Sequence, residues 1–185
     1  SDRKVYYYSV SKKDCDVYAS GVKTVDNSIT FTINYEGGKI AAQINCLGEH
    51  NVKNALAAFC VGLALDIPPE DIVKGIAQFK PEGLRQNVTV IDGVTYIVDC
   101  YNAAPDSMKA SLSVLSQAQA EGKRICVLGD MLELGEYSRL MHDQLGQYAA
   151  QMQVQKLFCY GMMADIVAEA AIKKGIRADN VFVCL

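Results

Sequence analysis

The stretch from Asp99 through Cys100, Tyr101, Asn102 and two alanines to Pro105 follows an apolar run, VTYIVD, and opens into a helical pattern. Polar side chains at the carboxyl end of a buried strand, just ahead of a helix, are where open α/β sheets keep their ligands. Asp99 has the type and place to accept a hydrogen bond from a ribose hydroxyl, and equally to hold the turn. Pro105 suits the first helical position, which makes Ala104 the N-cap, a residue with no capping oxygen. Asp106 and Ser107 compensate in part through the first turn. In GEHNVKNALAA, 48–58, Asn51 and Asn54 stand three apart and share a helix face. An amide there matches the donor and acceptor edge of a purine, and Asn51 is equally suited to cap the helix. His50 beside them fits a ligand contact or a satisfied polar role. Arg85 carries a planar fork suited to phosphate, carboxylate or stacking on a base, or simply to solvent. In LGDMLELG, 128–135, Gly129 and Gly135 bracket a loop after another apolar run. Asp130 and Glu133 could hold a cation or a substrate amine there, or cap the next helix.

These residues need elements to position them. Residues 3–47 alternate apolar and polar with β-branched and aromatic enrichment, and Gly37-Gly38 is a hairpin signal, so the period predicts antiparallel sheet. Residues 51–65 change to a helical pattern, apolar nearly all round, which predicts a buried helix. Pro69, with Glu70 and Asp71 in the first turn, starts another. The segment 80–87, KPEGLRQN, reads as a linker. After it, VTVIDGVTYIVD carries an Asp92-Gly93 hairpin signal. TYIVD, RICVLGD, KLFCYG and VFVCL then read as apolar strands, separated by helices from Pro105, near 137–150 and near 163–174. Such strands predict a parallel sheet covered on both faces. The expected fold class is therefore α/β: antiparallel sheet with helices over 1–82, then a Rossmann-like, doubly wound domain over 83–185.

Bulk properties narrow the function classes. The 185 residues are 50% hydrophobic with net charge −3, and no basic run offers a nucleic-acid surface. No apolar stretch reaches the roughly 18 residues of a membrane span. Seven scattered cysteines form no CxxC pair, which fits buried thiols in a reducing cytoplasm. With two histidines and no clustered thiols, no metal site is expected in this chain. The sequence contains no G-x-x-x-x-G-K-[ST] and no G-x-G-x-x-G. Its ends, Ser1 and NVFVCL, read as those of a piece of a longer enzyme.

In order and spacing, GEHNVKNALAA, the Arg after the linker, DCYNAAPDSMKASL and VLGDMLELG with His142 shortly after resemble the Mur ligases of bacterial cell-wall synthesis. The family patterns are close to G-x-H-N-x-x-N-A, D-x-Y-N-A-N-P-x-S-M and L-G-D-M-x-E-L-G, and the match runs over about residues 45–146. The pairing of YNA-P-SM with GDMLELG resembles the branch that joins D-alanyl-D-alanine to UDP-N-acetylmuramoyl-tripeptide. The resemblance implies a three-domain ATP-dependent amide ligase that works through an acyl phosphate. Residues 1–82 would be the end of its central ATPase domain, and 83–185 most of its C-terminal domain. The P-loop, most magnesium ligands and the UDP-sugar domain would lie outside this piece, which is expected to be inactive alone. The resemblance further implies that His50, Asn51 and Asn54 contact ATP at the adenine, and that Arg85 and Asp99 meet ribose and phosphates from the far side of a cleft. Asn102, Pro105, Asp130 and Met131 would lie near the γ-phosphate or the incoming amine, with Asn102 and Asp130 the candidates for a catalytic part. Two positions depart from the family: Ala104 replaces an Asn and Cys100 a Ser. The missing cap is expected to loosen the turn that holds Asn102.

Three other readings stay open. One is another amide ligase of the folylpolyglutamate type. A second is a dinucleotide-binding oxidoreductase module, against which the absent glycine fingerprint speaks. A third is a non-catalytic interaction domain.

Overall fold

The computed structural model describes residues 4–25, 27–80, 83–85, 87–118 and 121–184. The chain divides into two units, Ser1–Glu82 and Gly83–Leu185. Within the linker, Pro81, Glu82 and Gln86 lie outside the described residues.

In the first unit, alternation decides the sheet. In β3 (Ser28–Tyr35), Ile29, Phe31 and Ile33 point inward and are buried, as period-2 patterning requires. β3 pairs antiparallel with β2 (Val17–Val25) and with β4 (Gly38–Ile44). The expectation of a wholly antiparallel sheet meets one exception. A two-residue strand, β1 (Tyr8–Ser9), runs parallel to β2. A bend at 10–16 leads from β1 into β2; Ser9 Oγ accepts the Ser11 and Lys12 N–H groups, and the Asp16 carboxylate accepts that of Tyr7. Two helices, α1 (Glu49–Ala64) and α2 (Pro69–Gln78), pack on the sheet. Val52, Leu56 and Phe59 of α1 and Ile72 and Ile76 of α2 join Val17, Phe31 and Ile44 in one core. Asn45 Nδ2 donates to Ala77 O at 2.6 Å, tying the end of α2 to the strand edge. α1 is not buried all round: Val61 is 58% exposed. The sheet and α2 cover one side of α1, and no described element of this unit covers the other.

In the second unit, Asp92 and Gly93 both take positive φ and close a two-residue turn between β5 (Asn87–Ile91) and β6 (Val94–Val98). That is the geometry the Asp-Gly pair favours. The turn sends β6 back along β5, so TYIVD lies in a hairpin. Among the described residues it is not a strand of the parallel sheet. That sheet is β7 (Ile125–Leu128), β8 (Lys156–Tyr160) and β9 (Val181–Cys184), in that order. α3 (Pro105–Gln117), α4 (Ser138–Gln151) and α5 (Ala164–Lys173) complete the unit.

Cys126, Leu128, Leu157 and Cys159 cluster with Leu112 of α3, Leu145 and Ala149 of α4 and Val167 and Ala171 of α5. On the opposite face of the sheet Val127 is 72% exposed, and Phe158 stacks on Phe182 with centroids 4.6 Å apart. The expected cover on both faces is therefore met on one face among the described residues. α4 and α5 approach so closely that a Cβ at Gly146 would lie 2.2 Å from the Val167 carbonyl oxygen. No helix among the described residues is long and apolar enough to cross a membrane.

Candidate functional site

The asparagine pair of the first unit sits in the first turn of α1. The N-cap is Gly48, without a side-chain cap bond, so Asn51 is not the capping residue. Its Nδ2 instead donates to Leu47 O at 2.7 Å, and its Oδ1 accepts from Asn54 Nδ2 at 3.3 Å. The amide therefore has a fixed orientation. His50, in the same turn, is half-buried.

In the second unit, the turn after β6 is extended by the short segment before β5. Cys100 and Tyr101 both donate their N–H groups to Leu84 O. That pairing places the Arg85 guanidinium 4.3 Å from the centroid of the Tyr101 ring. Asp99 is half-buried, and Ser111 Oγ of α3 donates to its Oδ2. The exposed Asn102 accepts the Ala103 N–H on its own Oδ1 at 2.9 Å. Pro105 begins α3, with Ala104 as N-cap, where the sequence puts them. Arg85, Asp99, Asn102 and Pro105 thus belong to one turn with its flanks. Tyr101 is the partner that sequence reasoning did not single out; its exposed ring beside a cation was the available signal.

The loop after β7 is built differently. The Met131 side chain is 2% exposed and lies in the core. Its backbone N–H donates to His142 Nε2 at 2.9 Å. His142 is fully buried on α4, and its Nδ1 lies 2.7 Å from the Ser138 carbonyl oxygen. A carbonyl can only accept, so Nδ1 carries the proton and Nε2 the lone pair. Asp130 does not cap the next helix in sequence; it holds the turn that leads into α5. Its Oδ2 accepts from Met162 N at 2.7 Å and its Oδ1 from Met163 N at 3.0 Å, at the start of α5. A carboxylate at a helix N-terminus is favoured by the macrodipole. Gly161 makes room: it has φ +116°, and a Cβ there would lie 2.5 Å from the Asp130 carboxyl carbon. Glu133 is exposed, with φ +62°. No group of three or more His, Cys, Asp or Glu side chains able to hold a metal ion occurs among the described residues.

Burial pushes the thiol of Cys126 up to about 12, and those of Cys46, Cys60 and Cys159 to about 11. These four are packing residues, whereas Cys100, in the turn, is exposed.

Comparison with known proteins adds a family. Residues 84–184 match the model of the Mur ligase glutamate ligase domain, and residues 1–62 that of the Mur ligase middle domain. A UDP-N-acetylmuramoyl-tripeptide–D-alanyl-D-alanine ligase of Bacillus subtilis is 40% identical over 131 residues, 70% of this chain and 29% of the relative. The ligase of that name from Escherichia coli is 29% identical over 176 residues, 91% of this chain and 37% of the relative. A crystal structure of MurF from Acinetobacter baumannii superposes with a TM-score of 0.84 at 31% identity, covering 96% of this chain and 37% of that one. MurF of Thermotoga maritima, solved in complex with ADP, has the same fold, with a TM-score of 0.74 at 19% identity, covering 96% of this chain and 44% of that one. The chain thus spans between 29% and 38% of the length of four curated relatives it matches.

Proposed function

This chain belongs to the Mur ligase family, and from that premise we propose that it is part of an ATP-dependent ligase joining D-alanyl-D-alanine to UDP-N-acetylmuramoyl-tripeptide in peptidoglycan synthesis. Residues 1–82 would be the end of the central domain and 83–185 most of the C-terminal domain of a cytoplasmic enzyme. The observation that carries the reading is the turn from Asp99 to Pro105. It sits at the carboxyl end of β6, with the exposed Arg85 fork held against Tyr101 beside it.

ATP, when bound, supplies the γ-phosphoryl group that turns the tripeptide carboxylate into an acyl phosphate, which the amine then opens with loss of phosphate. The work of this chain is positioning and charge stabilisation. Asn51, oriented by Leu47 and Asn54, presents a fixed amide edge to the adenine, with His50 beside it. Arg85, already stacked, is a pre-aimed fork for phosphate or ribose. Asp99, anchored by Ser111, receives a ribose hydroxyl. Asn102 and the loop containing Asp130 and Met131 belong to the amine side. Magnesium is implied for the same reaction, and none of these steps is assigned to it.

The test is phosphate release by the full-length ligase with ATP and the UDP-sugar tripeptide, comparing D-alanyl-D-alanine with L-amino acids and glutamate. Turnover confined to D-alanyl-D-alanine is expected. Turnover with another amine would keep the ligase mechanism and discard this substrate. Amide formation without ATP consumption, or NADH binding seen by fluorescence, would overturn the reading.

A further inference from the structure

We propose that His142 and Asp130 are positioning residues that join the loop after β7 to the start of α5 and so fix the amine-substrate side of the ligase. The inference rests on the ligase reading above. Neither side chain needs to touch the substrate to do this.

The geometry is a chain of three fixed points. His142 Nδ1 is bonded within its own helix, to the carbonyl oxygen four residues back. That bond sets the tautomer and leaves Nε2 as an acceptor aimed at the Met131 N–H, 2.9 Å away. Asp130, the next residue back, spends one oxygen on Met162 N and the other on Met163 N. The carboxylate also lies where a side chain of residue 161 would be, so Gly161 is required for the contact. Three segments are thereby tied: the loop at 129–134, the body of α4 and the turn at 161–163. The Asp130 carboxylate has its donors already, which sets it apart from a group kept vacant for an incoming ammonium.

The imidazole's place supports the same assignment. A fully buried polar side chain among Leu145, Ala149 and the core would be costly without two satisfied bonds. His142 has them, one to its own helix and one to the loop. If it served α4 alone, an apolar residue would pack there without a loop partner. The bond to Met131 N is the feature that an apolar replacement cannot supply.

Two measurements test this. On the 185-residue chain itself, amide hydrogen exchange is followed at Met131, Met162 and Met163. His142→Leu is expected to lose protection at Met131 while α4 keeps its own; His142→Gln, whose side chain can accept the same N–H, is expected to retain it. Asp130→Ala and Gly161→Ala are expected to lose protection at Met162 and Met163. In the full-length ligase, His142→Leu and Gly161→Ala are expected to raise KM for the amine substrate by about tenfold or more, as loop displacement does when geometry carries catalysis. KM for ATP should stay within about twofold, and His142→Gln should rescue the amine KM. Unchanged protection at Met131 in His142→Leu would overturn the proposal, and so would equal rises in both KM values. If the ligase uses a different amine, the substrate reading falls and the KM comparison is made with that amine. If it uses none, the ligase reading falls and the exchange pattern alone decides whether the tie exists.

Discussion

The backbone N–H of Ala104 donates to Ser107 Oγ at 3.2 Å, so α3 begins with one half of a capping box. The other half needs a side-chain oxygen at position 104, which alanine lacks. Ala104 already has extended backbone, φ −138° and ψ 153°, as an N-cap requires. Ala104→Asn is therefore expected to stabilise the second unit by about 1 kcal/mol. A urea midpoint that does not rise would show that the first turn is already satisfied.

Arg85 and Tyr101 form the second testable pair. An exposed cation–π contact contributes about 0.5–1 kcal/mol. If the ring's task is to aim the guanidinium, Tyr101→Leu should weaken ATP binding by the full-length protein about two- to fivefold. Arg85→Lys should cost more, because an ammonium lacks the planar fork. Calorimetric titration separates the cases: an unchanged affinity in Tyr101→Leu would remove the ring from the proposed nucleotide site.

Two glycines predict opposite signs. A Cβ at Gly146 would meet the Val167 backbone oxygen at 2.2 Å, and backbone cannot step aside cheaply. Gly146→Ala is expected to destabilise the second unit by about 1–3 kcal/mol, since overpacking outweighs the gain in helix propensity. Gly75, on the exposed side of α2, has nothing within 4 Å. There Gly75→Ala should stabilise the first unit by about 0.5–1 kcal/mol. Thermal melts of the two variants should move in opposite directions.

The buried thiols give a pH dependence. An unfolded thiol titrates near its ordinary value of 9.0, whereas Cys126 is held at about 12 and Cys46, Cys60 and Cys159 at about 11. Above pH 9 the unfolded chain loses these protons and the native chain does not, so stability falls as pH rises. Below pH 9 both states keep them and the effect vanishes. Urea midpoints at pH 8 and pH 10 check the sign. Replacing Cys126 with alanine should flatten the slope, whatever it costs in packing.

Much of the local structure was legible because local chemistry controls it. Pro105 and Pro69 start helices, the Asp92-Gly93 turn makes a hairpin, and alternation in β3 sets its buried face. The strand pairings were not all legible. VTYIVD reads as a buried parallel strand by its apolar run, yet its partner is chosen by the turn before it. The parallel pairing of β1 rests on a bend held by side-chain acceptors, which has no period to read. Residue types alone single out Arg85, Asp99 and Asn102 as candidates. Pairings across sequence distance stayed hidden: Asp130 with the Met162 and Met163 amides, and His142 with Met131. A carboxylate in a loop reads the same whether it waits for a ligand or holds a turn thirty residues on.

The crossing of α4 and α5 carries a consequence for sequence drift. Gly146 touches α5 at Val167, one turn in from the end that Asp130 holds. A lineage that acquires a side chain at 146 must move α5, and with it the amides that the carboxylate grips. Position 146 is then constrained by the loop it never meets. Substitutions there should be tolerated only alongside changes at 130, 161 or 167, so that a packing residue inherits the evolutionary tempo of a distant loop.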